Sequence, residues 1–128
     1  MRIVFWGSSD FSLPSLERIA REGWIVGVVT NPDKPYGRGM RELHKTPVKL
    51  WAENHNVPCL QPEKLKEEFF LESLRSLKAD LFVVVSYGRI LPPVILTMPP
   101  AGCINLHASL LPKYRGASPI QAAILHGD

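Results

Sequence analysis

The stretch Leu81-Phe82-Val83-Val84-Val85 consists of five consecutive apolar residues, four of which are β-branched or aromatic. An uninterrupted run of this kind is typical of a parallel strand that helices cover on both faces, because every side chain along it must be shielded from water. Further apolar runs occur at residues 2–6, 24–30 and 57–60. We therefore expect these segments to be strands of one buried sheet.

Helical patterns alternate with these strands. The first helix follows a candidate N-cap at Ser9 or Asp10 and stops at Gly23. Further helices are predicted at residues 47–54, 64–77, 92–96 and 118–125. In the helix at 64–77 the residues expected to face inward are Leu65, Phe69, Leu74 and Leu77.

A fifth strand is expected at residues 102–108, after the short helix at 92–96. Strands that alternate with helices indicate an α/β fold with a Rossmann-like, doubly wound, mostly parallel sheet. Neither a linker nor a repeat interrupts the pattern, so residues 1–128 are predicted to be a single domain.

The composition is that of an ordinary globular protein, with 45% hydrophobic and 21% charged residues. No apolar stretch approaches membrane-spanning length and no signal peptide is recognisable, so we expect a cytoplasmic protein. Cys59 and Cys103 lie in apolar segments without ligand-like spacing and are expected to be buried, reduced thiols. The histidines lack metal-ligand spacing as well, so no metal site is predicted.

The segment from Asn31 to Met40 is rich in proline and glycine and is expected to contain no regular structure. The whole net charge of +3 arises from residues 31–49, since the rest of the chain balances. Most charged loops are only solvated surface, but localised positive charge also tends to meet phosphates. Arg38, flanked by two glycines, has the freedom to reach such a partner.

The segment at residues 102–109 carries the residues most suited to chemistry, namely Asn105, His107 and Ser109. Side chains alternate along a strand, so Asn105 and His107 are expected to share a face. An amide donor beside an imidazole suits a reaction in which negative charge develops on a carbonyl oxygen. A lone histidine is more often a core residue whose ring is hydrogen-bonded within the protein. The presence of Asn105 and Ser109 beside His107 at a strand end nevertheless favours a catalytic site. Ser109 lacks the G-x-S-x-G context of a nucleophile.

A nucleotide-binding alternative rests on the turn after the first strand, Gly7-Ser-Ser-Asp-Phe11. It occupies the place of the dinucleotide fingerprint G-x-G-x-x-G but lacks the second and third glycines. A plain strand-to-helix turn with an N-cap is therefore favoured over bound NAD.

Taken together, these segments resemble the N-terminal catalytic domain of the methionyl-tRNA formyltransferases. The run at residues 102–116 is specific to formyltransferases that use 10-formyltetrahydrofolate. The other matching segments are residues 1–5, 10–11, 28–35, 37–39, 47–49, 61–62, 79–81, 84–88 and 117–121. The basic loop at 33–45 favours the tRNA enzyme over relatives that act on glycinamide ribonucleotide or nucleotide sugars.

The resemblance implies transfer of the formyl group of 10-formyltetrahydrofolate to the α-amine of methionyl-initiator tRNA during translation initiation. It assigns the developing charge on the formyl oxygen to Asn105 and to a protonated His107. It assigns folate binding to Ser109, Leu110, Leu111, Pro112, Tyr87, Gly88, Arg89, Ile90 and Leu91. It assigns tRNA binding to Lys34, Arg38, Arg41 and Lys45. Members of the family are expected to act as monomers, without a metal or a membrane.

In that family a third catalytic residue, an aspartate, lies farther along than Asp128. We therefore expect residues 1–128 to be an incomplete formyltransferase domain that is inactive or weakly active alone. Two alternatives stay open. One is a formyltransferase for another amine, such as a sugar amine, and the other is a non-catalytic module that binds folate or tRNA.

Overall fold

A computed structural model describes residues 1–36, 42–108 and 120–125 of the chain. In this part of the chain the main sheet comprises β1 (Ile3–Trp6), β2 (Ile25–Val29), β5 (Cys59–Leu60), β6 (Leu81–Val85), β7 (Cys103–Ala108) and β8 (Ile120–Leu125). A separate hairpin consists of β3 (Lys34–Tyr36) and β4 (Glu42–His44). The helices are α1 (Leu13–Ala20), α2 (Pro47–Asn54), α3 (Glu68–Ser76) and α4 (Pro93–Leu96).

The strand order in the main sheet is β5-β2-β1-β6-β7-β8. Neighbouring strands run parallel, except that β8 is antiparallel to β7. The chain adds strands on one side of β1 and then crosses to the other side, which is the doubly wound arrangement. The predicted Rossmann-like, mostly parallel sheet is therefore confirmed.

Strand β1 is the centre of the fold, and all four of its residues are buried. Ile3 and Phe5 belong to a hydrophobic cluster that includes α1 and α2. Val4 and Trp6 belong to a second cluster, on the other face, that includes α3 and α4. The alternation of side chains along a strand thus fills two helical layers, as the apolar runs predict.

The helix-end signals in the sequence are confirmed. The Ser9 hydroxyl accepts a hydrogen bond from the Phe11 backbone N–H at 3.2 Å and begins a short 3-10 helix that leads into α1. Gly23, after α1, has φ +75°, a conformation that favours glycine. Helix α2 has the predicted bounds, and the Thr46 hydroxyl caps it by accepting from the Lys49 N–H at 3.1 Å.

The helix predicted over 64–77 is shorter than expected, and one of the four residues predicted to face inward does not do so. Glu67 has extended backbone, with ψ 131°, so α3 begins only at the next residue. Phe70 and Leu71 are buried, whereas Phe69, which was predicted to face inward, is 77% exposed. Leu74 is buried as predicted, and Leu65 and Leu77 pack against the same cluster, so the prediction is wrong only for Phe69.

The prediction of no regular structure from Asn31 to Met40 is wrong in part. Strands β3 and β4 form an antiparallel ladder in which Lys34 pairs with His44 and Tyr36 pairs with Glu42. Pro35 lies within this ladder, and proline is tolerated there because a two-stranded hairpin leaves one edge of each strand unpaired. Residues 37–41, including the predicted tRNA contacts Arg38 and Arg41, lie outside the described residues.

The closing helix predicted over residues 118–125 is also wrong for its described part, which is strand β8. The sequence Ile-Gln-Ala-Ala-Ile-Leu is a short apolar run, and such a run is compatible with either a buried helix or a strand. Pairing with β7, in a register that sets His107 opposite Gln121, provides backbone partners along an edge that would otherwise be open.

The two cysteines are free, with Cys103 buried and Cys59 half-buried. Burial raises the pKa of each thiol to about 11, so both are overwhelmingly protonated at neutral pH. The prediction of buried, reduced thiols is thus confirmed for Cys103, whereas Cys59 is reduced but only half-buried. In the described part of the chain no helix has the length and apolar character needed to cross a membrane.

The different burial of two adjacent phenylalanines in α3 gives a test of the fold. Phe70 is 5% exposed and contacts Trp6 edge-on, with 6.0 Å between ring centroids. We expect Phe70→Ala to lower the free energy of unfolding by about 3–5 kcal/mol, because it removes buried surface and leaves a cavity. The matched variant Phe69→Ala is expected to change it by less than about 0.5 kcal/mol. Urea unfolding measures both, and equal losses would contradict the phase of α3.

Candidate functional site

The carboxyl ends of four parallel strands, β2, β1, β6 and β7, lie side by side at one edge of the sheet. The order of winding reverses between β1 and β6, and open α/β sheets bind their ligands outside this point. The segments that leave the sheet here are residues 7–9, 30–33 and 86–91. The candidate site is therefore built from these loops and from the polar residues of β7.

Strand β7 carries the two predicted catalytic residues. Asn105 is half-buried and pairs in register with Val84 of β6. His107 follows two residues later, with its backbone in the same strand, and the placement of its ring lies outside the described structure. The strand conformation on which the prediction of a shared face depends is thus present. The predicted folate residues that follow, Ser109, Leu110, Leu111 and Pro112, lie outside the described residues.

The loop at residues 87–91 is fixed at both ends and exposed in the middle. Tyr87 and Leu91 are buried, at 2% and 6% exposure, in the cluster with α3 and α4. Gly88 has φ +93° and is exposed, and Ile90 is 93% exposed. An apolar side chain presented to solvent on an anchored loop is available to pack against a ligand ring.

Arg89, predicted to bind folate, has its guanidinium engaged by the protein itself. Its Nε donates to Asn31 Oδ1 at 2.8 Å. Its two terminal nitrogens donate to the carbonyl oxygens of Glu63 at 3.0 Å and Pro62 at 2.6 Å. The guanidinium also lies over the Tyr87 ring, 5.2 Å from its centroid. The structure therefore uses the Arg89 side chain to hold the loop at 87–91 against the segment at 61–63.

Asn31 was not singled out from the sequence, although it occupies the centre of this edge. Its Nδ2 donates to the Tyr87 carbonyl at 2.8 Å, while its Oδ1 accepts from Arg89. Its backbone N–H donates to Ser8 Oγ at 3.1 Å, and its backbone carbonyl accepts from Gln61 at 3.2 Å. The only sequence signal was its place just after an apolar strand, which many turn asparagines share.

A second group of polar contacts holds the base of the hairpin. Lys49 of α2 forms an ion pair with Asp33 at 2.9 Å, and both side chains are mostly shielded from solvent. Gln61 donates to the other Asp33 oxygen at 2.8 Å. The hydrogen bonds from Gln61 and then Lys49 lower the pKa of Asp33 below its ordinary value of 3.8.

The described basic residues of the loop, Lys34 and Lys45, are both exposed. Lys45 forms an ion pair with Glu53, with 3.2 Å between its Nζ and a carboxylate oxygen. Lys34 borders a cavity of about 190 Å³ between the hairpin and the sheet edge. The residues that line this cavity are Ser8, Asn31, Pro32, Lys34, His44, Thr46 and Pro47. The lining of this small cavity beside the strand ends thus mixes polar residues with two prolines.

Gly7 has a packing role in this arrangement. A Cβ atom at Gly7 would lie 2.5 Å from Ser12 Oγ and 2.7 Å from the Val85 carbonyl oxygen. The Ser12 hydroxyl donates to that same carbonyl at 2.6 Å, so the turn after β1 packs directly on the end of β6. This agrees with the expectation of a structural turn in preference to a dinucleotide fingerprint.

Two aromatic side chains of the core, Trp6 and Tyr87, lie next to the candidate site. Among the described residues, the Tyr87 hydroxyl and Trp6 Nε1 are buried without hydrogen-bond partners. Their rings lie edge-on beside the loop at 87–91, with centroids 5.3 Å apart. Within the same part of the chain no cluster of three or more His, Cys, Asp or Glu side chains is placed to hold a metal ion.

The Asp33 contacts predict a specific acid dependence of stability. Because the folded-state pKa of Asp33 is below its unfolded value, its ion pair and hydrogen bonds stabilise the fold above pH 3.8 and are lost as pH falls through the folded pKa. Wild type should therefore be more stable than Asp33→Asn near neutral pH, and this difference should shrink in acid. Urea unfolding at several pH values measures it, and a difference that does not change with pH would contradict the assignment.

Comparison with known proteins places this site in context. A family model described as formyl transferase matches residues 1–128. The methionyl-tRNA formyltransferase of Halalkalibacterium halodurans is 53% identical over 129 residues, and that of Xylella fastidiosa is 54% identical over 128 residues. Each alignment covers 100% of this chain, which spans about 40% of the length of these curated relatives.

Solved structures show the same fold at lower identity. A phosphoribosylglycinamide formyltransferase from Streptococcus pneumoniae has a TM-score of 0.65 at 18% identity, covering 99% of this chain and 74% of its own. A formyltetrahydrofolate deformylase from Pseudomonas syringae has a TM-score of 0.60 at 19% identity, covering 98% and 46%. The family match along the whole sequence, supported by this shared fold, establishes that the chain belongs to the formyl transferase family.

Proposed function

We propose that this chain binds 10-formyltetrahydrofolate and takes part in transferring its formyl group to the α-amine of methionine on initiator tRNA. The observation that carries the proposal is the similarity, above 50% identity along the whole chain, to the methionyl-tRNA formyltransferases of two organisms. The residues to which we assign that chemistry, Asn105 and His107, lie two positions apart in β7, and ligands of open α/β sheets bind outside the carboxyl ends of such strands.

The catalytic role proposed for β7 is to stabilise charge on the formyl oxygen. When an amine adds to a formyl carbon, the carbonyl π electrons move onto oxygen. They return to re-form the C=O bond as the bond to the donor nitrogen breaks, and that nitrogen takes up a proton while the amine loses one. The Asn105 amide would donate a hydrogen bond to this oxygen, and a protonated His107 would add a positive charge beside it. Removing one donor of this kind typically costs about 100-fold or more in kcat.

The donor site proposed here joins the loop at 87–91 with residues 109–112. Bound folate would supply an activated formyl group beside Asn105. The exposed Ile90 side chain supports this assignment, since it can pack against the apolar face of a pterin ring. Arg89 would contribute by holding the loop, because its side-chain donors are already bound to Asn31 and to two carbonyl oxygens.

The tRNA-binding region proposed here is the basic hairpin, with Lys34, Arg38, Arg41 and Lys45. Lys34 supports this role because it is exposed and borders the cavity beside the sheet edge. A phosphate group near Lys45 would compete with Glu53 for its ammonium group. Binding through such contacts should weaken as the salt concentration rises, since each neutralised phosphate releases counterions.

Formyl transfer can be measured in a chimera in which residues 1–128 replace the matching segment of the Halalkalibacterium halodurans enzyme. We expect formylated methionyl-tRNA to form, and Asn105→Ala and His107→Ala each to lower kcat by about 100-fold or more. The matched variant Asn54→Ala, at an exposed position at the end of α2, should retain the activity of the chimera.

Two outcomes would contradict the proposal. A chimera in which Asn105→Ala and His107→Ala both retain wild-type kcat would remove β7 from the chemistry. A chimera that formylates an amino sugar but leaves methionyl-tRNA unchanged would favour a different amine as the substrate.

A further inference from the structure

The loop at 87–91 begins with a backbone conformation that its own residues do not favour. Ser86, where the chain leaves β6, has φ +55°, and Gly88 has φ +93°. A residue other than glycine seldom adopts the left-handed conformation, and glycine adopts it without preferring it. Contacts with other segments must therefore keep the loop in this arrangement.

One side chain from outside the loop supplies the contact at this point. In the part of the chain that the structure describes, the backbone groups of residues 88–90 form no hydrogen bond with another segment. The Tyr87 carbonyl lies in the peptide unit between the two left-handed residues, and it accepts from Asn31 Nδ2 at 2.8 Å. Asn31 thus holds the peptide unit on which the course of the loop depends.

The other end of the Asn31 carboxamide holds the Arg89 side chain. Oδ1 accepts from Arg89 Nε at 2.8 Å, while the terminal nitrogens of Arg89 are bound to the carbonyl oxygens of Pro62 and Glu63. Reversing the carboxamide would set its NH₂ against the guanidinium and its oxygen against the Tyr87 carbonyl, so the two partners define one orientation. Since both ends of the carboxamide are bound to the protein itself, we assign Asn31 no direct contact with a ligand.

We propose that Asn31 is a positioning residue for the formyl donor, because it keeps the loop at 87–91 in the arrangement to which the donor binds. This inference rests on the proposed function, which assigns the donor to this loop. Without Asn31 the loop would occupy that arrangement only part of the time, and the apparent affinity for the donor would fall by the same fraction. The formyl group itself is assigned to Asn105 and His107, so its transfer from bound donor should not depend on Asn31.

The affinity of the 128-residue chain for 10-formyl-5,8-dideazafolate, a stable analogue of the donor, is measured by equilibrium binding. We expect Asn31→Ala to bind the analogue about tenfold more weakly than wild type, as for a loop that is in place about one tenth of the time. Asn31→Asp keeps an acceptor for Arg89 but sets a carboxylate oxygen against the Tyr87 carbonyl, so it should also bind more weakly. Asn54→Ala, the matched control at an exposed position, should retain the wild-type affinity.

A destabilised variant separates positioning from folding. Val48 is fully buried in the cluster on the opposite face of the sheet from Tyr87 and Leu91. Val48→Ala should therefore unfold at a lower urea concentration than wild type and still bind the analogue with wild-type affinity. In the chimera used to measure formyl transfer, Asn31→Ala should raise the KM for the donor about tenfold and leave kcat at saturating donor unchanged.

The outcomes distinguish this inference from the proposed function. Wild-type affinity in Asn31→Ala, an equal loss of affinity in Val48→Ala, or a lowered kcat at saturating donor in the Asn31→Ala chimera would each overturn the inference and leave the proposed function standing. If wild type does not bind the analogue, the donor site of the proposed function fails, and the inference fails with it.

Discussion

The parallel pairing of β1 with both β2 and β6 is the constraint on which the rest of the structure depends. It brings the ends of three strands to one place and leaves the loops that follow them in contact. Gly7 makes this possible because any side chain there would collide with Ser12 and with the end of β6. The buried sequence of β1 then supports a helical layer on each face. The candidate site is a consequence of this central strand.

The loops at that edge are held together by polar contacts more than by apolar packing. Asn31 and Arg89 connect the ends of β2 and β6, and Ser9 and Ser86 share a hydrogen bond of 2.7 Å between the ends of β1 and β6. Such contacts are directional, so they define positions that hydrophobic contact alone would leave variable. They also leave the exposed Ile90 side chain as the group that does not hold the loop, which is why the donor is assigned there.

The parts of the fold that could be predicted are those with strong local signals. The apolar strand Leu81–Val85, the capped helix Pro47–Asn54 and the glycine after α1 all follow from residue type and spacing. The start of α3 and the exposure of Phe69 could not be predicted, because the extended residue before the helix has no distinctive sequence mark. Strand β8 could not be distinguished from a helix, since its apolar run satisfies both patterns and only its partner β7 decides.

In the candidate site, too, features with a local sequence signal could be predicted and those that depend on distant contacts could not. Asn105 and His107 could be proposed from a two-residue spacing, because strand geometry converts that spacing into proximity. The role of Asn31 could not, since its partners Tyr87 and Arg89 lie more than fifty residues away along the chain. The assignment of the donor site is tested most directly by a crystal structure of this chain with 10-formyl-5,8-dideazafolate, a stable analogue of the formyl donor. We predict the ring system against the loop at 87–91 with the formyl group beside Asn105; binding at the Gly7–Ser9 turn, away from β7, would contradict the assignment.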